Sequence, residues 1–297
     1  MLEDARARVK AALGWEGEVI FTSGASEALV IGLGRAKAGA RLVGAVEHDA
    51  VLQAAPDAER LPVLADGLLD LESMAEAVQP ECPLVAVQTV NSETGAMQDA
   101  AALASIVHEA GGLWLADASQ SAGKLPLPAE ADLVVVSAHK LGGPVGIGAL
   151  LLRDFALIEP SGGHERGYRR GTENMPAAMG FAAGLEAGAW ASSPAQRRAF
   201  AEQVDASVLH VARPADHILA ITHPQLSAQV LVIRLDAMGF AVSAGSACSS
   251  GSLKPSRVLS AMGIAADKAQ RTIRVSIGWS TTPAQLDAFV AAWQSLL

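Results

Sequence analysis

A lysine at the end of an apolar run is the first residue of the chain whose position suggests chemistry. Lys140 follows DLVVVS (132–137), a run typical of a buried strand, and precedes the glycine-rich stretch LGGPVGIG (141–148). The amine of a lysine held at a strand end can form a Schiff base with an aldehyde cofactor. A lone lysine in such a place is more often an ordinary surface residue, so other groups must support this interpretation.

An acidic residue occupies the same kind of position. Asp117 ends the apolar segment GLWLAD (112–117), and Gln120 follows three residues later. A buried carboxylate is costly unless a positive group pairs with it. The protonated nitrogen of a pyridine ring is a suitable partner, since an aspartate commonly holds that charge. The alternative is that Asp117 caps the next helix.

A third group of residues is suited to an anion. Ser23, Gly24, Ala25 and Ser26 follow GEVIFT (17–22) and open a helical pattern. The free N–H groups and the dipole at a helix N-terminus favour a phosphate. An ordinary helix cap has the same sequence, so this segment alone does not distinguish a phosphate site from a cap.

The elements that must position these residues alternate between strands and helices. Six segments are predicted to be buried strands: 17–22, 41–46, 83–88, 112–117, 132–137 and 147–152. Between them, helices are predicted over 26–37 and 99–111, with Ser26 and Asp99 as N-caps, and the opening MLEDARARVK is typical of an amphipathic helix. This alternation predicts an α/β fold with a mostly parallel sheet, whose ligands lie at the carboxyl ends of the strands.

The remainder of the chain predicts a second, smaller domain. After a helix over 173–190, the segment Ala191–Ser193 with Pro194 is typical of a boundary. We therefore expect a large domain over 1–190 and a small α+β domain over 191–297. The small domain's predicted elements are helices over 225–239 and 282–296 and strands over 240–244 and 272–277.

Composition excludes several classes of partner. The net charge is −9, which argues against the basic surface of a nucleic-acid-binding protein. No run reaches the ~18 apolar residues that a membrane span needs, and no signal peptide opens the chain, so we expect a cytoplasmic protein. Two cysteines are too few for a disulfide framework, and without CxxC or HxxxH spacing we expect no metal site.

Eight motifs resemble, in order, those of the cysteine desulfurases, which are pyridoxal-phosphate enzymes of the class-V aminotransferase superfamily. They are FTSGASEA (21–28), EHDAVL (47–52), NSETGAMQD (91–99), DASQSAGK (117–124), SAHKLGGPVGIGALLLR (137–153), GGHERGYRRGTEN (162–174), SAGSACSSGS (243–252) and IRVSIGWST (273–281). They span nearly the whole chain. The long cysteine segment and RRGTEN are similar to the first of the family's two branches.

The resemblance implies the fold of type I pyridoxal-phosphate transferases and a set of residues around the cofactor, pyridoxal 5'-phosphate. Lys140 matches the lysine that carries the cofactor and moves the α-proton, and His48 matches the imidazole that stacks on the ring and serves in acid–base steps. The other cofactor residues implied are Asp117 at the pyridine nitrogen, Gln120 at the ring hydroxyl, and Gly24, Ala25, Ser26, Ser137, His139 and Thr172 at the phosphate. Because Thr172 matches a contact from a second subunit, we expect a homodimer.

The same resemblance implies the substrate and the reaction. Arg274 matches the arginine that binds the carboxylate of L-cysteine, and Cys248 matches the nucleophile that takes its sulfur as a persulfide, leaving L-alanine. The sulfur then passes to an acceptor protein, either an iron–sulfur scaffold or a thiolation protein. The small, polar neighbours of Cys248 provide no apolar packing, as a mobile thiol requires. Cys82, beside a predicted strand, is expected to be a structural core thiol.

Two departures from the family leave other functions open. The chain begins at a helix well inside the family's usual beginning, which predicts either a truncated reading frame or a missing part of the substrate wall. Ser92 stands where the family has the second asparagine of NNETG, so we expect weaker cysteine binding. The alternatives are a selenocysteine lyase, another class-V aminotransferase-like enzyme, or a non-catalytic paralogue that acts as a binding subunit. Cys248 weighs against an aminotransferase, which has no use for such a thiol.

Overall fold

The computed structural model describes residues 1–78, 82–245 and 256–297, which divide into two units. Unit 1 comprises Met1–Pro62, Leu69–Val90 and Gln98–Gly188, and unit 2 comprises Val63–Leu68, Asn91–Met97 and Ala189–Leu297. Two short segments from the N-terminal part of the chain, 63–68 and 91–97, thus belong to unit 2. No helix in these described ranges is long and apolar enough to cross a membrane.

Unit 1 is built on a seven-stranded sheet. Its strands are β1 (Glu18–Thr22), β2 (Arg41–Gly44), β3 (Glu59–Leu61), β4 (Leu84–Gln88), β5 (Leu113–Asp117), β6 (Leu133–Ser137) and β7 (Gly148–Leu152), in the order β1-β7-β6-β5-β4-β2-β3. Strand β7 is antiparallel to both neighbours, and the other pairs are parallel. Strands β4, β6 and β7 are buried at every position, which explains their continuous apolar sequence. All six predicted strands are confirmed.

The helices of unit 1 each bury apolar residues. They are α1 (Leu2–Leu13), α2 (Ala25–Arg35), α3 (Asp49–Ala54), α4 (Leu71–Ala77), α5 (Ala100–Glu109) and α6 (Met175–Ala187). The predicted cap Asp99 accepts from Ala102 N at 3.2 Å and is confirmed. Helix α1 is held by a buried ion pair, in which Arg6 Nη1 lies 2.9 Å from Glu165 Oε2.

The described residues of unit 2 form a three-stranded antiparallel sheet and five helices. The elements are α7 (Pro194–Gln203), β8 (Ile218–Thr222), α8 (Ala228–Ala237), β9 (Ser243–Ala244), α9 (Arg257–Ala261), α10 (Ala266–Ala269), β10 (Thr272–Ser276) and α11 (Pro283–Gln294). The strand order is β8-β10-β9. Its core is mainly aliphatic and includes edge-to-face aromatic contacts, with Phe289 5.8 Å from Phe200 and 5.4 Å from Phe240 between ring centroids.

Candidate active site

Polar groups of unit 1 gather at one edge of its sheet. Thr22 at the end of β1 and Ser137 at the end of β6 both pair with Gly148, the first residue of β7. Asp117 at the end of β5 pairs with Gln88 at the end of β4. These residues define the carboxyl edge of the sheet, and each predicted cofactor motif of this unit except the Thr172 segment follows directly from it.

Lys140 lies one short turn beyond β6. Residues Ala138–Lys140 form a single 3-10 turn, anchored by the buried Ala138, whose N–H donates to Ile147 O at 3.2 Å. The Lys140 side chain is half-buried, and the neighbouring Ser137 Oγ lies 2.9 Å from His139 Nδ1. Partial burial and then the charge of Lys140 lower the pKa of His139, so this imidazole is neutral near pH 7.

A second lysine, which the sequence did not single out, lies beside Lys140. Lys124 is half-buried and its Nζ donates to Gln120 O at 3.1 Å. Burial, and next the positive charge of Lys140, lower the pKa of Lys124 to about 8. The DASQSAGK motif contains this lysine, but its burial follows from tertiary packing. Lys124 also fixes the main chain at Gln120, one of the predicted cofactor residues.

The lowered pKa makes Lys124 a source of pH-dependent instability in the cofactor-free protein. Below pH 8 the buried amine carries its full charge, and this cost disappears as pH rises from about 8 towards the ordinary lysine value above 10. Lys124→Met should therefore raise the free energy of unfolding at pH 7 by about 1–3 kcal/mol, and the gain should shrink above pH 8. Urea unfolding at pH 7 and pH 9.5 measures both values. Lys268→Met, at an exposed site, is the control, and an equal gain at both pH values for Lys124→Met would contradict the prediction.

Asp117 is a buried carboxylate, and no described side chain pairs with its charge. It is 7% exposed, and the hydrogen bond to its carboxylate from the described part of the chain comes from Ser119 N to Oδ1 at 2.9 Å. One neutral hydrogen bond leaves most of the desolvation cost of such a group uncompensated. The carboxylate is therefore suited to a cationic ligand group at the carboxyl edge.

His48 has a defined orientation at the start of α3. Its Nδ1 accepts a hydrogen bond from Ala50 N at 3.1 Å, so the neutral ring carries its proton on Nε2. The preceding Glu47 is buried and accepts from Gln88 N at 3.0 Å, which ties this turn to the end of β4. The half-buried imidazole thus presents its Nε2–H as a hydrogen-bond donor.

No side chain among the described residues caps the N-terminus of α2. Its N-cap is Gly24, at φ 153° and ψ −180°, a conformation that favours glycine. The predicted cap, Ser26, lies inside the first turn and is exposed, so that prediction is wrong. The first helical bond runs from Ala28 N to Gly24 O, so the N–H groups of Ala25, Ser26 and Glu27 precede the intrahelical ladder. Such a terminus suits a phosphate.

The segment that carries Thr172 is bound to the same helix. Arg169 Nε lies 2.9 Å from Glu27 Oε1 in the first turn of α2, while Glu27 Oε2 accepts from Ser23 N at 2.5 Å. Thr172 itself is exposed. Its hydroxyl is thus available to groups outside unit 1.

In unit 2, the two predicted substrate residues contact each other. Arg274, on β10, donates from Nη1 to the main-chain oxygen of Ser92 at 2.9 Å and from Nη2 to Ser243 Oγ at 3.1 Å. The arginine is half-buried. Because residue 92 acts here through its carbonyl, serine and asparagine would serve equally well in this contact.

The structure describes one of the two cysteines. Cys248 lies outside the described residues. Cys82 is half-exposed at a turn before β4, with φ 53° and its Sγ 3.7 Å from Lys37 O. The prediction of a core thiol is wrong, because the apolar part of β4 begins only at Leu84.

Known proteins match the chain over most of its length. The family model described as Aminotransferase class-V matches residues 1–289. A cysteine desulfurase of Cereibacter sphaeroides is 34% identical, covering 92% of this chain and 78% of its own. A NifS-like protein of Rickettsia africae has a TM-score of 0.85 at 26% identity, with 99% and 87% of the two chains covered. The structure of SspA in complex with cysteine has a TM-score of 0.80 at 26% identity, with 95% of this chain and 87% of the SspA chain covered.

Proposed function

Because the chain belongs to the class-V aminotransferase family and, within it, to the cysteine desulfurases, we propose that it converts L-cysteine to L-alanine with pyridoxal 5'-phosphate at the carboxyl edge of unit 1. One observation carries the cofactor assignment. A half-buried lysine, a carboxylate with no paired charge among the described residues and an uncapped helix N-terminus follow the same edge of one sheet. The lysine suits an aldehyde, the carboxylate suits a pyridinium nitrogen and the helix N-terminus suits a phosphate.

The residues of unit 1 fit the cofactor by their donors and charges. The carboxylate of Asp117 would pair with the ring nitrogen, and Gln120 would donate to the ring hydroxyl. The phosphate would be bound by the first-turn N–H groups of α2 and by a set of side chains and backbone positions: Gly24, Ala25, Ser26, Ser137, His139 and, from a second subunit, Thr172. When bound, pyridoxal 5'-phosphate supplies an electron sink for the bonds that break at the substrate.

Two side chains of unit 1 would move protons. Lys140 is the attachment point for the cofactor, and its amine, once the substrate has displaced it, would take the α-proton of L-cysteine. His48 would hold a proton at Nε2, because the bond from Ala50 N keeps Nδ1 as an acceptor. If Nδ1 took up a second proton in place of that bond, the cationic ring would become an acid that gives up the Nε2 proton.

Residues of unit 2 would bind the substrate and accept its sulfur. Arg274 would bind the carboxylate, a task suited to the fork of a guanidinium. The Ser92 carbonyl orients that guanidinium, a contact that asparagine at this position would make equally well. Any weakening of cysteine binding by Ser92 would therefore come from its shorter side chain. The Cys248 thiolate would then attack the substrate sulfur. An S–S bond forms, the Cβ–S bond breaks with its electron pair on carbon, and protonation of that carbon gives L-alanine.

The substrate assignment has support from one structural relative. SspA, similar to this chain over 95% of its length, has been solved in complex with cysteine. We propose L-cysteine for this chain as well. The persulfide would be delivered to an acceptor protein, either an iron–sulfur scaffold or a thiolation protein.

A direct assay tests the proposed function. The purified protein, supplied with pyridoxal 5'-phosphate, should turn yellow and should produce alanine from L-cysteine, with equimolar sulfide when dithiothreitol is present. Omission of the thiol should stop sulfide release while the first equivalent of alanine still forms. A protein that takes up no cofactor, or that takes it up and produces no alanine, would contradict the proposal.

The exposed Thr172 leads to the proposal of a homodimer with shared sites. If Thr172 contacts the phosphate bound by a second subunit, the protein should have twice the monomer mass by light scattering at micromolar concentration. Thr172→Ala should weaken cofactor binding about tenfold, the loss expected for one hydrogen bond to a charged group. A monomer that holds the cofactor as tightly as a dimer would contradict the shared site. Thr281→Ala, in a turn of unit 2, is the control threonine.

A further inference from the structure

Residues on both sides of segment 246–255 are bound, within unit 2, to one turn. Ser256, the first described residue after the segment, donates from Oγ to Glu93 Oε2 at 2.5 Å. Before the segment, Ser243 Oγ accepts from Arg274 Nη2 at 3.1 Å, and Arg274 Nη1 donates to Ser92 O at 2.9 Å. Ser92 and Glu93 are adjacent, so both attachments lead to the turn formed by 91–97.

The turn is held by bonds that do not involve the Glu93 side chain. Asn91 Oδ1 accepts from the N–H groups of Glu93 and Thr94, each at 2.9 Å. Gly95 has φ +75°, and a Cβ there would lie 2.2 Å from Ile218 O, so the turn packs directly on β8. Ala215 N donates to Gly95 O at 2.8 Å. Removal of the Glu93 carboxylate should therefore leave the turn in place.

The bond between Glu93 and Ser256 has a fixed direction. Ser256 is 5% exposed, and its Oγ accepts from Leu259 N at 3.0 Å as the N-cap of α9. Its only hydroxyl proton is then left for Glu93. A short hydrogen bond to a carboxylate is stronger than one between neutral groups, so Glu93 helps to fix the position of Ser256.

We propose that Glu93 is a positioning residue for sulfur transfer. It holds Ser256 at one end of the segment that contains Cys248, while Arg274 holds Ser243 at the other end. Ser256 and Ser243 are thereby both linked to the turn formed by 91–97, and Arg274, the proposed carboxylate ligand on β10, is hydrogen-bonded to the same turn. The inference rests on the proposed function, in which Cys248 takes the sulfur of a substrate bound by Arg274.

Loss of the Glu93 carboxylate should affect the sulfur step and spare amino-acid binding. Glu93→Ala should lower kcat for alanine formation from L-cysteine about tenfold to a hundredfold, the factor that one charge-assisted hydrogen bond represents. The affinity for L-alanine, followed by the absorption change of the bound cofactor, should stay within about twofold, because that ligand needs Arg274 but no thiol. Glu93→Gln should recover most of the rate, since its amide oxygen can still accept from Ser256.

A double-mutant cycle separates this role from general stability. Ser256→Ala removes the bond to Glu93 but also the α9 cap, so Ser227→Ala is the matched control, because Ser227 caps α8 by accepting from Val230 N at 3.4 Å. Ser227→Ala should keep kcat, whereas Ser256→Ala should lose it. Glu93→Ala combined with Ser256→Ala should be no slower than the worse single variant. The urea midpoints of the cofactor-free proteins should show the same non-additivity.

The outcomes distinguish this inference from the proposed function. A wild-type protein that makes no alanine would overturn the proposed function. An active wild type with Glu93→Ala at the same rate would overturn only the role of Glu93. Equal losses of kcat and of L-alanine affinity in Glu93→Ala would also overturn it, because they would indicate general damage to unit 2.

Discussion

Cys248→Ser is expected to lower the rate of alanine formation from L-cysteine by about 1,000-fold or more, because the substitution abolishes a covalent step. The groups proposed to hold the cofactor all lie in unit 1, and none of them is a thiol. The variant should therefore still bind pyridoxal 5'-phosphate, and its absorption should still change when L-cysteine is added. Mass spectrometry of the wild type after L-cysteine should show one additional sulfur on the peptide with Cys248.

The other cysteine provides the control for this variant. Cys82 is half-exposed, and its Sγ lies 3.7 Å from Lys37 O, a weak contact that a hydroxyl can replace. Cys82→Ser should keep most of the activity. If Cys248→Ser formed alanine at the wild-type rate, the chain would be a lyase that frees sulfide directly.

The sheet of unit 1 could be predicted because its strands are buried on both faces. β6 reads LVVVS and β7 reads GALLL, and such runs are too short for a helix of ordinary length. The other strands were harder to predict from sequence. β3 has three residues, two of them exposed, so its sequence carries no apolar signal, and β8, a buried run, was not predicted. The strand predicted over 240–244 is confined to Ser243–Ala244.

Local sequence indicated which edge of the sheet carries the proposed cofactor residues, but not how each of them is held. Parallel strands bring their carboxyl ends together, so the order of motifs already implied that Asp117 and Lys140 share an edge. The cap of α2 was predicted incorrectly, because Ser26 is a good cap by type, whereas the extended conformation that begins the helix belongs to Gly24. An uncapped terminus is the feature that suits a phosphate, and it is visible only in the backbone.

Contacts between distant parts of the chain could not be predicted from sequence. Glu93 and Ser256 are 163 positions apart, and no local pattern relates a glutamate in a turn to a helix cap. Nor does sequence reveal that 91–97 belongs to unit 2, while the residues on either side belong to unit 1. These contacts depend on packing, as does the burial that lowers the pKa of Lys124.

Lys140→Ala is expected to yield a colourless protein with about 10,000-fold lower activity, because the substitution removes both the proposed attachment point of the cofactor and the proposed base that moves the α-proton. The structure presents a competing lysine. Lys124 has a pKa of about 8, so more of its amine is uncharged at neutral pH than in an ordinary lysine, and an uncharged amine is the nucleophile that an aldehyde requires.

Geometry favours Lys140 over this competitor. Lys140 follows β6 by one short turn and is adjacent to the Ser137 and His139 pair, whereas Lys124 Nζ is engaged by Gln120 O at 3.1 Å. Borohydride reduction of the wild type, followed by peptide mass analysis, should place the cofactor on Lys140. Lys124→Met should remain yellow and keep its cofactor after reduction. A colourless Lys124→Met with a yellow Lys140→Ala would reverse the assignment, because the lowered pKa at Lys124 would then have outweighed the position of Lys140 at the carboxyl edge.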